Sequence, residues 1–316
     1  MFLAVDFAVP RIGIGQRQNI YSCIKNNNMN VRIGCTTLII TLLFLVSCDD
    51  PKQIKNETEN NISEQVQNPT NKVLLSSEIV WEKLNPARGD KSPQAGTLWG
   101  DRKGEVATGF LAKFVDGFSS PPHIHNATYR AVVIKGSIHN DDPEAANMWM
   151  KPGSFWTQPL GESHITASKG ESIALVEIDK GPYLVKPIEE SFDNGERPIN
   201  IDASNVVWLN SQKTNWIDPE SKAELSFLWD DSDSKGLFIK LPKTFSGTIK
   251  TDGTVLHAVV IQGKLNYTLP QNQETKTLDE GSYFSATDKA IHTVSSADNE
   301  VILYLKTNGS AKINEL

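Results

Sequence analysis

Hydrophobic positions along the chain fall into three regimes. Residues 33–46, IGCTTLIITLLFLV, are one apolar run broken only by small polar residues. Residues 49–73 are polar and offer almost nothing to bury, so they predict a flexible tether. Beyond them, apolar residues come in short bursts rich in β-branched and aromatic types, as at 108–115, 129–138, 165–167, 173–178 and 301–306. Gly, Pro, Asn and Asp separate the bursts, which is the pattern of short strands joined by turns. No stretch of the body keeps a helical period long enough for an amphipathic helix. The body is therefore expected to be all-β, a sandwich or barrel.

The pattern repeats. Ala131–Gly136 reads AVVIKG and Ala258–Gly263 reads AVVIQG. Gly153-Ser154-Phe155-Trp156 is matched by Gly281-Ser282-Tyr283-Phe284, Leu98-Trp99 by Leu228-Trp229, and Val80-Trp81 by Val207-Trp208. The offsets are 127, 128, 130 and 127 residues, in constant order. A domain of about that length has been duplicated. The expected organisation is an N-terminal lobe over 74–187, a linker over 188–205 and a C-terminal lobe over 206–316.

The run at 33–46 is too short for a comfortable membrane span. Arg32 precedes it and Leu45-Val46-Ser47-Cys48 follows it, so residues 1–48 contain a secretory signal, with Met29 as the expected start. The last four residues resemble the bacterial lipobox, which implies cleavage before Cys48 and lipidation of its thiol. The expected location is the bacterial cell envelope, lipid-anchored and facing the periplasm or the exterior.

Composition narrows the chemistry. Net charge is −7, and beyond position 48 there are 27 basic against 37 acidic residues. Such a body has no electrostatic footprint for nucleic acid, and membrane contact is expected only through the anchor. The cysteines are Cys23, Cys35 and Cys48, so the body holds neither disulfide nor thiolate metal site. Metal chemistry there rests on histidine.

His123 and His125 are two apart and share one face of a strand. With His164 from a neighbouring strand they could ligate a metal. Here the chain resembles the cupin superfamily. Its first motif, G-x5-H-x-H-x3-E-x6-G, is met by Gly117, His123, His125, Tyr129 and Gly136. Its second, G-x5-P-x-G-x2-H, is met by Gly153, Pro159, Gly161 and His164. The wider text, including GFSSPPHIHN and MWMKPGSFWTQP, is similar to the bicupin family called domain of unknown function 4437. The resemblance implies two tandem cupin jelly-roll β-barrels, one divalent first-row metal ion (Fe, Zn, Mn or Ni) on His123, His125 and His164, and a homodimer.

Tyr129 stands where most metal-binding cupins carry glutamate. Three neutral imidazoles leave the full charge on the ion, which strengthens it as a Lewis acid and favours an anionic small molecule. Tyr129 is expected as a hydrogen-bond donor or wall residue. Glu162, two before His164, is a candidate general base. His139 fits no motif position and is expected in a turn. Aligning the lobes places Lys250 and Asp252 opposite His123 and His125, and only His292 opposite a ligand, His164. The second lobe is thus expected to be a degenerate partner. Two functions stand side by side: a metalloenzyme with dioxygenase-, hydrolase- or isomerase-type chemistry on a small oxygenated substrate, or a non-catalytic metal- or ligand-binding module.

Overall fold

The structure, a computed structural model, describes residues 71–316. The signal region, Met29, Cys48 and residues 49–70 of the tether lie outside the described residues. Among those described, no helix is long and apolar enough to cross a membrane.

The first half of the body carries strands β1 (Lys72–Leu74), β2 (Trp81–Lys83), β3 (Gln94–Trp99), β4 (Thr108–Phe114), β5 (His123–His125), β6 (Tyr129–Asp141), β7 (Phe155–Gln158), β8 (Ile165–Ile178), β9 (Val185–Pro187) and β10 (Ile199–Ile201). The second carries β11 (Glu224–Asp230), β12 (Lys235–Leu241), β13 (Ser246–Thr251), β14 (Val255–Gln262), β15 (Leu265–Thr268), β16 (Thr275–Leu278), β17 (Tyr283–Thr287), β18 (Ala290–Ser296), β19 (Val301–Thr307) and β20 (Ala311–Glu315). Helical structure among the described residues is limited to short 3-10 turns. The inner sheet of lobe one runs β10-β7-β6-β8-β4-β3-β2, and that of lobe two β1-β17-β14-β19-β12-β11. Lobe two closes with an outer sheet, β16-β15-β18-β13-β20. Lobe one closes with the β5-β9 pair and the far halves of the long strands β6 and β8. The architecture is two tandem jelly-roll barrels.

Two expected segments are different in the structure. The tether was expected through residue 73, but Lys72 and Val73 belong to β1, which pairs with β17 of lobe two. The expected linker contains β10, which pairs with β7 of lobe one. Each lobe thus borrows its edge strand from the segment preceding the other. Three-residue strands are too short to display a period of two, which is why the polar surroundings dominated the sequence pattern.

The repeated AVVI words are continuous rather than alternating because the inner sheets are buried on both faces. Ala131 and Val133 face the core of lobe one, whereas Val132 and Ile134 face a shared core between the lobes. Ala258 and Val260 face the core of lobe two, whereas Val259 and Ile261 join the shared one. Trp99 and Trp229 mark this seam. Each lies against a glycine of the adjacent strand, Gly109 and Gly236, where an added Cβ would fall inside the indole. The seam is also paired in charge: Lys306 of lobe two meets Asp179 of lobe one at 2.8 Å, and the Tyr304 hydroxyl donates to the buried Glu177 at 2.8 Å.

Candidate metal centre

The short strand β5 places His123 and His125 on one face, and an isolated antiparallel bridge sets His164 beside His123. That bridge is closed by two main-chain hydrogen bonds of 3.0 Å between the two histidines. One ligating atom from each ring lies within 4.8 Å of the others. His125 and His164 are buried and His123 is partly so.

Each ring is oriented from behind. Nδ1–H of His123 donates to the carbonyl oxygen of Pro121 at 3.0 Å, that of His125 to Leu184 at 3.1 Å, and that of His164 to Glu162 at 3.3 Å. Carbonyls only accept, so each Nδ1 carries the proton and each Nε2 keeps its lone pair. Burial pushes the His164 imidazole down to about 3, helped by His123 and opposed by the Glu162 carbonyl. His125 falls well below its usual range through burial, then through His164 and His123. His123 is lowered by burial against the Pro121 carbonyl. Three neutral imidazoles with free Nε2 atoms are the donor set that a first-row divalent ion takes, and their backbone anchors are the supporting contacts such ligands need. The site fits a metal.

His123 and His125 line a cavity of about 320 Å³, with His164 buried behind them. Buried Phe110, Trp156, Ala174 and Val176 form its inner wall, and the exposed Leu84, Asn85, Arg88 and Val185 mark its mouth. Tyr129 lines it from the start of β6, with its hydroxyl donating to Asn140 Oδ1 at 2.9 Å. The same hydroxyl is 3.5 Å from His164 Nε2. Asn140 is held in turn by Thr166, at 2.8 Å, and by Gln158, at 2.9 Å.

Glu162 is placed elsewhere. Its carboxylate does not line this cavity but a separate surface depression with Phe192, Asp193 and Arg197. What reaches the centre is its backbone carbonyl, which holds His164 and also accepts from Gln158 at 3.2 Å. Alternation to one face would require a strand, but residues 160–163 form a turn around Gly161 at φ 78°. The structure therefore gives Glu162 no position as a base for this site. His139 is likewise no turn residue. It is buried in β6 and its Nδ1 donates to Met148 O at 3.3 Å.

Tyr183 was not found from the sequence. It lies between β8 and β9, and its ring stacks on His125 at 4.4 Å and 18°. Its hydroxyl donates to His125 Nε2 at 3.2 Å. Burial raises both Tyr183 and Tyr129 well above the ordinary phenol range, so both stay protonated. No local signal ties position 183 to position 125. The pairing of β9 with β5 creates the contact.

The counterpart site in lobe two differs from the expected alignment. His123 bridges His164, and in lobe two Ile249 pairs with His292. Ile249 and Thr251, rather than Lys250 and Asp252, therefore occupy the two β5 ligand positions, because the turn leading into β13 is one residue shorter than the repeat offset implied. Ile249 is fully buried. His292 survives, with its Nδ1 bonded to the Tyr267 hydroxyl at 2.9 Å.

Comparison with solved structures places the fold. A protein of Nostoc punctiforme provisionally assigned as a dioxygenase aligns over 78% of this chain and 82% of its own, with a TM-score of 0.58 and 12% identity. AerE of Microcystis aeruginosa aligns over 77% of this chain and 99% of its own, with a TM-score of 0.50 and 13% identity. The oxalate decarboxylase of Lactobacillus farciminis, solved as a formate complex, aligns over 76% and 88%, with a TM-score of 0.51 and 10% identity. At such identities the likeness is one of fold, the cupin fold. No functionally curated protein matches the chain. The family model described as domain of unknown function DUF4437 matches residues 72–314, and the chain belongs to that family.

Proposed function

We propose that this cupin is an envelope-anchored metalloenzyme, held by Cys48, that acts on a small oxygenated and anionic substrate. The observation that carries the reading is the convergence of three neutral imidazoles, each tied at Nδ1 to a main-chain carbonyl, beside a largely apolar cavity. A divalent ion on His123, His125 and His164 would supply Lewis-acid polarisation of an oxygenated group. The chain's own residues do the rest. Tyr129 and Tyr183 remain protonated beside the ligand nitrogens, so neither serves as a base; with an ion on His125 Nε2 the Tyr183 hydroxyl would be free to donate to a bound oxygen, whereas the Tyr129 proton is committed to Asn140 Oδ1. Asn140, Thr166 and Gln158 fix the Tyr129 hydroxyl.

A second reading has one observation in its favour. No carboxylate lines the cavity, so a reaction needing a protein carboxylate base has none, and a module that only binds metal or a small ligand would look the same. Elemental analysis of the purified protein tests the common ground. About one first-row metal per chain is expected, and His123→Ala should abolish it. Full metal content in that variant would overturn the site, and turnover of an oxygenated acid separates enzyme from module.

A further inference from the structure

From the charge and wall chemistry of the cavity, we infer that the substrate is an apolar monocarboxylic acid whose carboxylate is received by Arg88 at the mouth, leaving its oxygenated reacting end to face the metal centre. This deepens the reading above and rests on it for the reaction, though not for the binding.

The lining contains one formally charged side chain, Arg88, and no acid. Arg88 sits on the 3-10 turn Pro86–Lys91, exposed at the mouth. Its guanidinium lies 5.0 Å from the centroid of Phe118, another wall residue, and donates only a long 3.4 Å hydrogen bond to the Ser119 carbonyl. Among the described residues it pairs with no carboxylate, unlike Arg102, Arg130 and Arg197, which each do. Most of the fork's donors are therefore free, and a planar cation presents the geometry that a carboxylate matches in two parallel bonds. Much of the remaining wall is apolar, with Phe110, Phe114, Phe118, Trp156 and Val176 in the lining beside the polar Ser120, Asn140 and Thr166. A cavity of about 320 Å³ has room for roughly ten water-sized groups. A compact two-carbon diacid would leave most of that aromatic wall facing water. A ring-bearing or branched acid of about ten to fifteen heavy atoms would cover it, with burial of the body adding to the ion pair.

Calorimetric titration of the whole purified protein tests this, using benzoate, 3-phenylpropionate and indole-3-acetate, their primary amides, and oxalate. At least one of the three acids should bind about tenfold or more tightly than its amide and more tightly than oxalate. Arg88→Gln should erase the preference for acid over amide, and Arg88→Lys should keep it at reduced affinity. The preference should also survive in wild-type protein stripped of metal by a chelator, which separates failure of this inference from failure of the metal site. Binding of none of the acids, equal binding of acid and amide, tighter binding of oxalate, or a preference that persists in Arg88→Gln would each overturn it.

Discussion

The two lobes are one barrel written twice, yet lobe one holds a cavity where lobe two packs large side chains. Register identifies the cause. Ala95, Ala112 and Ala174 lie side by side across β3, β4 and β8. The same rung in lobe two holds Leu225, Ile239 and Leu303 across β11, β12 and β19. All six are buried. Three alanines leave space that three large aliphatic residues fill. The polar floor changes with it. Tyr129, Asn140 and Thr166 of lobe one correspond to Leu256, Tyr267 and Val294, and the buried ring of Tyr267 packs on Phe284 at 4.8 Å. The histidine set and the small residues that make room for a ligand thus occur in the same lobe. A ligand set without volume has no substrate to serve, and volume without a site is a destabilising void.

The difference extends to the seam between the lobes. Arg130 and Glu177 form a cross-strand pair in lobe one, and register makes His257 and Lys306 their counterparts. Arg130 lies 3.8 Å over Trp229, and His257 stacks 4.3 Å from Trp99, so the packing is pseudo-symmetric. The charges are not. Glu177 faces Lys306, its own counterpart, at 4.0 Å. Two identical lobes would set like charges together there, so the asymmetry favours this pairing of unlike lobes over lobe one with lobe one.

The sharpest way to break the comparison is to exchange the rung. Leu303→Ala opens a cavity in a filled core and should cost about 2–5 kcal/mol in urea-induced unfolding. Ala174→Leu fills space that already exists. It should leave stability unchanged or raise it by up to about 2 kcal/mol while removing ligand binding. A cost above about 1 kcal/mol for Ala174→Leu would mean that the cavity wall has no room to give, and that hollowness is not what separates the lobes.

Acid distinguishes the lobes next. His292 is the single surviving ligand position in lobe two, and burial pushes its imidazole down to about 4 from 6.5. Between those values the unfolded chain binds a proton that the folded chain refuses, so stability is full above about pH 6.5 and falls as the pH drops toward 4. The share due to His292 should approach about 3 kcal/mol in metal-free protein, on top of the losses from the buried His125, His164 and His257. His292→Asn should flatten that part of the profile, measured by denaturant unfolding at pH 6.5 and 4.5. An unchanged slope would mean that His292 is reached by water in the native state.

How much of this was legible in the sequence depended on the range of the contacts. The three ligands were readable because β5 puts His123 and His125 two apart and a turn of fixed length delivers His164. The duplication was readable because both faces of the inner strands are buried, which leaves conspicuous apolar words. The side chain of Glu162 points away because alternation to one face holds along a strand and not through the turn at Gly161. The exchanged strands β1 and β10 were hidden by their brevity. The alanine rung and Tyr183 were illegible for a deeper reason: each exists only once distant strands are in register, and an alanine or tyrosine has no meaning before that.

Tyr183 supplies the smallest and most discriminating effect. Register places Val185 opposite His125 and Ala311 opposite Thr251, so the position two residues earlier is Tyr183 in one lobe and Gly309 in the other. In lobe one its hydroxyl donates to the lone pair of His125 Nε2, the atom that a metal would take. Binding must therefore break a hydrogen bond with a net worth of about 0.5–1.5 kcal/mol. Tyr183→Phe keeps the stacked ring and removes the competitor, so zinc affinity in a chelator competition should rise by about 2- to 10-fold. Tyr183→Leu also removes the ring that sets the plane of His125 and should instead lower affinity by about 10-fold or more. Were Tyr183→Phe to weaken binding as well, the hydroxyl would be a support for the ion and not a placeholder for it, and the hollow lobe would hold its centre with one more polar ligand than the three histidines.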